Sequence, residues 1–373
     1  MQPGYLWRHR LCVCLGAGSF GRVVELGRFW NPTLTAFKHR VNHWQQQMAR
    51  REMRQTRMLR FINRKEPNVD RHTGVSDYGF VDLFCGVGGA SQGALDAGLS
   101  VWLAVDFCGR LLDIHRKNHP GTVHVCCELP SLEGVEFPSH RRWHLHGSPP
   151  CTTLSNMNKT ASDSERSHGI ALLRWYLKLA IESTASTWSM EQVPVKEVIN
   201  EVKRAMKEHP GKVDFCVKNC YDLGVPQTRK RLFAGSPRLI SKLKLRRVPR
   251  RVVCDVISNP RGSHTRPEVT KSTTRVVRNG QVTKRECIYA DDDLCRPLDS
   301  PCHTITANNG LRWATPGSNT RPFKMYPTEL MLLQTFPDTY KLGSCSSFNT
   351  RGIGNAVPPK VMTEILKPLL TKS

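Results

Sequence analysis

The sequence predicts an α/β fold whose body is a doubly wound sheet. Three observations carry the prediction. Residues 76–236 alternate short apolar runs with helix-like stretches. The runs end near an acid or a glycine turn, as buried parallel strands do where their carboxyl ends face a ligand. No internal repeat or long low-complexity tract interrupts the pattern. At 373 residues the chain can hold one large domain or two to three smaller ones.

The elements follow in order. In "YGFVDLFCGVGGASQGALDAG", residues 79–84 are apolar apart from one acid, as expected of a buried strand. Residues 85–89 form a glycine-rich turn, and 90–97 read as a short helix stopped by Gly98. "SVWLAVDF" (100–107) is a second strand ending in Asp106, and "LLDIHRKNHPG" is the helix after it. "TVHVCCEL" (122–129) is a third strand ending near Glu128, and "WHLHGSPPC" is a fourth. Later strands are "TWSMEQV" (187–193) and "RLFAGS" (231–236). Strand, helix, strand repeated this way implies parallel pairing, with ligands beyond the carboxyl ends.

Composition narrows the function. Lys and Arg number 55 against 31 Asp and Glu, a net charge of +24. Such an excess favours a polyanionic partner, because phosphate neutralisation supplies most non-specific nucleic-acid affinity. No apolar run of membrane-spanning length occurs, and the N-terminus lacks the apolar stretch of a signal peptide, so an intracellular protein without a membrane anchor is expected. The 14 cysteines include no C-x-x-C pair, so reduced thiols are expected and no metal site.

One cysteine stands apart. Cys151 follows Gly147-Ser148-Pro149-Pro150 and precedes the polar "TTLSNMNKTASDSERSHG". Proline fixes φ and leaves a strand ladder, so this thiol sits on a stiff turn at a strand end, where a nucleophile is presented. An ordinary loop cysteine fits the same place. The turn Gly86-Val87-Gly88-Gly89, with Asp106 ending the next strand, is the generic arrangement for a nucleoside-containing cofactor. It is not G-x-G-x-x-G, and a tight turn beside a helix-capping acid reads the same.

Seven motifs together resemble the DNA (cytosine-5) methyltransferase family over about 78–370. They are "DLFCGVGGAS", "GSPPCTTLS", "MEQV" (190–193), "QTRKRLF" (227–233), "RPLDSPCHTIT" (296–306), "YPTELMLLQTFPDTY" and "RGIGNAVPP", in the family's order. The resemblance implies a Rossmann-like fold dependent on S-adenosylmethionine. It implies methyl transfer to cytosine C5 in double-stranded DNA; the oligomeric state is left open by the sequence, with a monomer expected. Cys151 would add to C6, making C5 enamine-like and able to attack a sulfonium methyl. Glu191 would relieve charge at N3. Arg231 would contact O2 and Arg229 would support the site. Phe84, Gly86, Gly88, Gly89 and Pro149 would surround the cofactor. Asp106 would bind ribose hydroxyls, Phe107 would pack on adenine and Glu128 would accept from its amino group. Asn355 and Val357 would close the site. The target cytosine must leave the duplex, and 152–170 has the composition of a mobile loop that closes over it, with Ser155 as a contact.

By composition the chain divides into a basic N-terminal extension (1–75), the alternating region (76–236), a basic, turn-rich segment poor in helical periodicity (237–295) and a return to a globular pattern (296–373). The resemblance makes these an extension, a catalytic and cofactor-binding domain, a target-recognition region and a return to the catalytic domain. Three motifs depart from the family pattern: Asp106 stands for the usual Glu, Gln192 for Asn in E-N-V, and Cys127-Glu128-Leu129 for G-D-I. The extension has its own likeness. "LGAGSFGRVVEL" (15–26), with Lys38 and Glu52, resembles a protein kinase small lobe without the catalytic Asp or the D-F-G needed for phosphate transfer. That fragment points to a eukaryote or its virus, hence to a nucleus. Two other readings of the whole chain stay open: cytosine methylation of tRNA, and a non-catalytic methyltransferase-like DNA-binding protein.

Overall fold

The computed structural model describes residues 78–132, 137, 142–150, 162–267, 273–278, 281–286, 295–307, 310–316 and 322–370. The kinase-like segment with Lys38 and Glu52, Cys151 and Ser155 lie outside the described residues.

The body is built from β1 (Gly79–Leu83), α1 (Gly89–Asp96), β2 (Ser100–Asp106), α2 (Gly109–Asn118), β3 (Val123–Cys126), β4 (Trp143–Gly147), α3 (Asp163–Glu182), β5 (Thr187–Gln192), α4 (Lys196–Glu208), β6 (Asp214–Asn219), β7 (Lys230–Gly235) and α5 (Pro237–Leu245). The seven strands form one sheet in the order β3-β2-β1-β4-β5-β7-β6. The first five pair in parallel as the alternating pattern predicts. The edge corrects the all-parallel expectation, because β7 runs antiparallel to both β5 and β6. A short connection cannot return a chain for parallel pairing. The link from β6 to β7 is a turn through Cys220–Leu223 closed at Gly224, so the two strands must oppose each other.

Alternation along the strands separates two cores. Val81, Leu83, Val105, Leu145, Met190 and Leu232 are buried on one face with residues of α3 and α4. Tyr78, Phe80, Phe233 and Val357 are buried on the other with residues of α1, α5 and the later helix α8 (Pro359–Leu366). The mobile-loop expectation over 152–170 is corrected at its end. A capping box at Ser162 starts α3, with the Glu165 amide donating to Ser162 Oγ at 3.2 Å and the Ser162 amide donating to Glu165 Oε2 at 2.8 Å. Residues 163–170 are therefore helix. The 237–295 segment also begins differently from its non-helical expectation. In α5, Leu239, Ile240 and Leu243 are buried in the body's core.

A smaller sheet follows, formed by β8 (His264–Pro267), β11 (Arg296–Pro297), β12 (Leu311–Ala314) and β13 (Phe323–Lys324) in the order β11-β8-β12-β13. A hairpin of β9 (Thr273–Arg278) and β10 (Gln281–Glu286) accompanies it. Helices α6 (Pro327–Leu333), α7 (Ser346–Asn355) and α8 return the chain to the body, where Gly93 of α1 packs against the Pro359 carbonyl of α8.

Candidate active site

Phe84, Asp106, Phe107, Glu128, Pro149 and Glu191 lie at or just past the carboxyl ends of the five parallel strands. Phe84, immediately after β1, has φ of 61°, and Gly86 and Gly88 have φ of 55° and 95°. A non-glycine residue at positive φ stores strain that persists where the surroundings fix it. Three consecutive features thus bend the chain away from the strand and into α1. Gly89 needs its lack of a side chain for another reason, since a Cβ there would lie 2.1 Å from the Val357 carbonyl oxygen. The closing segment therefore rests on the turn, and buried Val357 reaches it through its backbone. Gly86 differs, because among the described residues nothing lies within 4 Å of a Cβ at that position. The turn has open space there, large enough for a ligand to approach the backbone.

Asp106 ends β2 beside this space. Its Oδ2 accepts from the Gly86 amide at 2.9 Å and its Oδ1 from the Cys108 amide at 2.8 Å. Burial raises its pKa, and the two amides oppose the rise. The carboxylate fixes the turn and still has lone pairs for hydroxyl donors. Phe107 follows with its ring 65 % exposed. Glu128, just past β3, and Asn355, ending α7, are also exposed.

The fourth and fifth strands bring the second group together. Glu191 is 4 % exposed, and its Oε1 lies 2.9 Å from Arg231 Nε. The two atoms form an ion pair without the alignment of a hydrogen bond. Gln192 is fully buried, and its Nε2 donates to the Pro149 carbonyl at 3.0 Å. Its Oε1 accepts from the Val193 amide at 2.7 Å. The departure from E-N-V thus supplies a tie between the glutamate strand and the turn that leads to Cys151. Ser148 adds another, donating from Oγ to the Phe84 carbonyl at 3.3 Å.

Arg229 goes elsewhere. It is 1 % exposed, and its guanidinium donates to the carbonyls of Ile305 and Gly354, both at 3.1 Å, and of Ala356 at 3.4 Å. It clamps the fifth and the seventh motifs to the body, and Glu191 pairs with Arg231 instead. Sequence reasoning missed the partners of this clamp. Gln227 accepts from the Ile305 amide at 3.0 Å and donates to Gln334, which donates to the carbonyls of Ile353 and Ala356 at 3.1 and 2.7 Å. The only signal was the first residue of "QTRKRLF".

A glycine turn beside open space, an acid ending the next strand and an exposed aromatic residue after it form, on this α/β sheet, the generic arrangement for a nucleoside-containing cofactor. Among solved structures, the chain is similar in fold to the Entamoeba histolytica methyltransferase EhMeth, at 13 % identity and a TM-score of 0.54, covering 79 % of this chain and 99 % of that one. It is also similar to S. pombe Dnmt2 methyltransferase, at 13 % identity and a TM-score of 0.52, covering 78 % and 99 %. Curated relatives include the type II methylase M.HgiDII of Herpetosiphon aurantiacus, 26 % identical over 338 residues, 78 % of this chain and 94 % of that protein. The type II methyltransferase M.AplI of Arthrospira platensis is 26 % identical over 309 residues, 77 % and 84 %. The model of the C-5 cytosine-specific DNA methylases matches residues 78–371. The chain belongs to this family and is therefore an enzyme that methylates cytosine at C5.

Proposed function

We propose that the chain methylates a cytosine flipped out of double-stranded DNA, using S-adenosylmethionine and a covalent bond between Cys151 and C6. One observation carries the reading: buried Glu191, paired with Arg231, stands beside Gln192, which holds the turn leading to Cys151. A nucleophile on that turn and a carboxyl on the neighbouring strand can meet one pyrimidine ring from two sides.

The open space at Gly86 fits the cofactor, and Asp106, Phe107 and Glu128 would hold its ribose and adenine, with Asn355 and Val357 closing over it. When bound, S-adenosylmethionine supplies an electrophilic methyl group. The protein's residues do the rest. The Cys151 thiolate adds to C6, and electron density moves toward C5 and N3. Glu191 holds a proton at N3, and Arg231 donates to O2, so charge on the ring is met by fixed groups. Once C5 is methylated, its proton leaves to a base and elimination frees the Cys151 sulfur. Drawing the cytosine out of the duplex costs a few kcal/mol, and the protein's positive charge offsets part of it through phosphate contacts.

The test is transfer of labelled methyl from S-adenosylmethionine to matched acceptors. Duplex DNA is expected to be labelled at cytosine C5 and tRNA to remain unlabelled. Labelling of tRNA with duplex DNA inert would overturn the choice of DNA.

A further inference from the structure

One transverse row of the sheet is polar where a core is expected. Paired positions across β3, β2, β1, β4 and β5 are His124, Ala104, Asp82, His146 and Ser189. Paired residues of parallel strands point to one face. Each polar member is buried, Asp82 and His146 completely. Two hydrogen-bonded segments run along the row. In the first, His124 Nε2 lies 2.8 Å from His115 Nδ1, His115 Nε2 lies 3.0 Å from Ser91 Oγ, and Ser91 donates to Asp82 Oδ2 at 2.7 Å. In the second, Tyr78 Oη meets Thr187 Oγ1 at 3.2 Å, Thr187 meets His144 Nδ1 at 2.8 Å, His144 Nε2 meets Ser189 Oγ at 2.8 Å, and Ser189 meets His146 Nδ1 at 2.9 Å.

The segments stop at each other. Asp82 Oδ1 and His146 Nε2 are buried atoms with no hydrogen-bond partner among the described residues, and they lie on directly paired residues. Adjacent strands lie about 4.8 Å apart, and one water molecule spans two groups at about 2.8 Å from each. Buried polar atoms left unpaired are costly, and a bridging water removes that cost.

We propose that Asp82 and His146 share one buried water, which joins the two segments into a single chain with its donors directed toward Asp82 from both sides. The proton count permits this direction. Ser91 has one hydroxyl proton and gives it to Asp82, so His115 donates to Ser91 through Nε2–H and accepts from His124. Tyr78, Thr187, His144 and Ser189 likewise donate in turn, leaving the His146 proton on Nε2. Burial pushes the Asp82 carboxyl up to about 7 against the Ser91 hydroxyl and backbone amide, and a further donor opposes that rise. Asp82 lies two residues before Phe84, and His146 lies two before Ser148, whose Oγ already donates to the Phe84 carbonyl. The bridge is a positioning element that holds the cofactor turn and the turn leading to Cys151 as one unit.

The first test needs no variant. Nitrogen-15 shifts of the His146 ring are expected to give the neutral Nε2–H form, and a crystal structure is expected to place a water within hydrogen-bond distance of both atoms. An Nδ1–H form, or direct contact between the side chains without water, would overturn the proposal. The second test reads S-adenosylmethionine affinity in D82N, H146F and the double variant. It rests on the cofactor reading, which fails separately if wild type does not bind. Each single change is expected to weaken binding about tenfold, the scale of one lost buried hydrogen bond to a charged group. The double variant is expected to lose no more than the worse single one, whereas multiplied losses would refute a shared bridge.

Discussion

Arg229 and Arg231 stand two positions apart and carry different burdens. Arg229 spans carbonyls from two distant segments, so R229A strands three buried acceptors and loosens the closing motifs. A loss of about 3–5 kcal/mol in unfolding free energy is expected by chemical denaturation. Arg231 meets the Glu191 carboxylate at the site. R231A is expected to remain folded and to lose on the order of a hundredfold in kcat. Equal stability losses in the two variants would contradict this division. The sequence pointed to Arg231 only through the Q-x-R-x-R resemblance. It concealed the partners of Arg229, because backbone carbonyls 76 to 127 residues away leave no mark of residue type. Gln192 read as a departure of unknown effect, and its bond to Pro149 needed the fold to appear.

Among the elements, the glycine turn was the most legible. Its glycines nonetheless answer to different constraints. Gly89 is pressed by the Val357 carbonyl, and Gly86 faces open space at positive φ. G89A is therefore expected to fail to fold or to melt far below wild type. G86A is expected to fold with a cost of about 1–2 kcal/mol from its left-handed backbone. Its main effect falls on S-adenosylmethionine affinity, which calorimetry would find weakened by more than about tenfold. Unchanged affinity in folded G86A would remove the cofactor from that space. The helix starting at Asp163 was readable from Ser162-x-x-Glu165, but polar composition masked the capping box. The β5–β7–β6 edge was not readable, because an apolar run such as "RLFAGS" looks alike in either direction.

For the whole molecule, buried histidines set the acid limit of stability. Burial lowers His119 and His124 to about 4 and His146 to about 3, and holds His115 and His144 well below the usual value. The unfolded chain binds these protons near pH 6.5 and the folded chain does not. Stability is therefore expected to fall as pH drops from 6.5 toward 4, by about 1.4 kcal/mol per pH unit for each proton taken up on unfolding. Asp82 acts in the opposite sense. Its raised carboxyl favours the folded state at low pH, an advantage lost as pH rises through about 7. Asp96 and Asp106, also raised by burial, act with it, and three carboxyls do not offset five imidazoles. Denaturant titrations between pH 7.5 and 4.5 check the slope, and a flat profile would contradict neutral buried rings. The sequence showed the parallel half of the sheet through its alternation, but not that its polar strand residues fall in one row. Register alone aligns them, and register depends on pairing across the sheet.

The proposed reaction joins cofactor, DNA and Cys151. Its most direct test is duplex DNA carrying 5-fluorocytosine, incubated with S-adenosylmethionine and either wild-type protein or C151A. Fluorine at C5 blocks the final elimination, so wild type is expected to form a denaturant-stable protein–DNA complex and C151A none. An equal complex in folded C151A, or none in folded wild type that binds both ligands, would contradict the account.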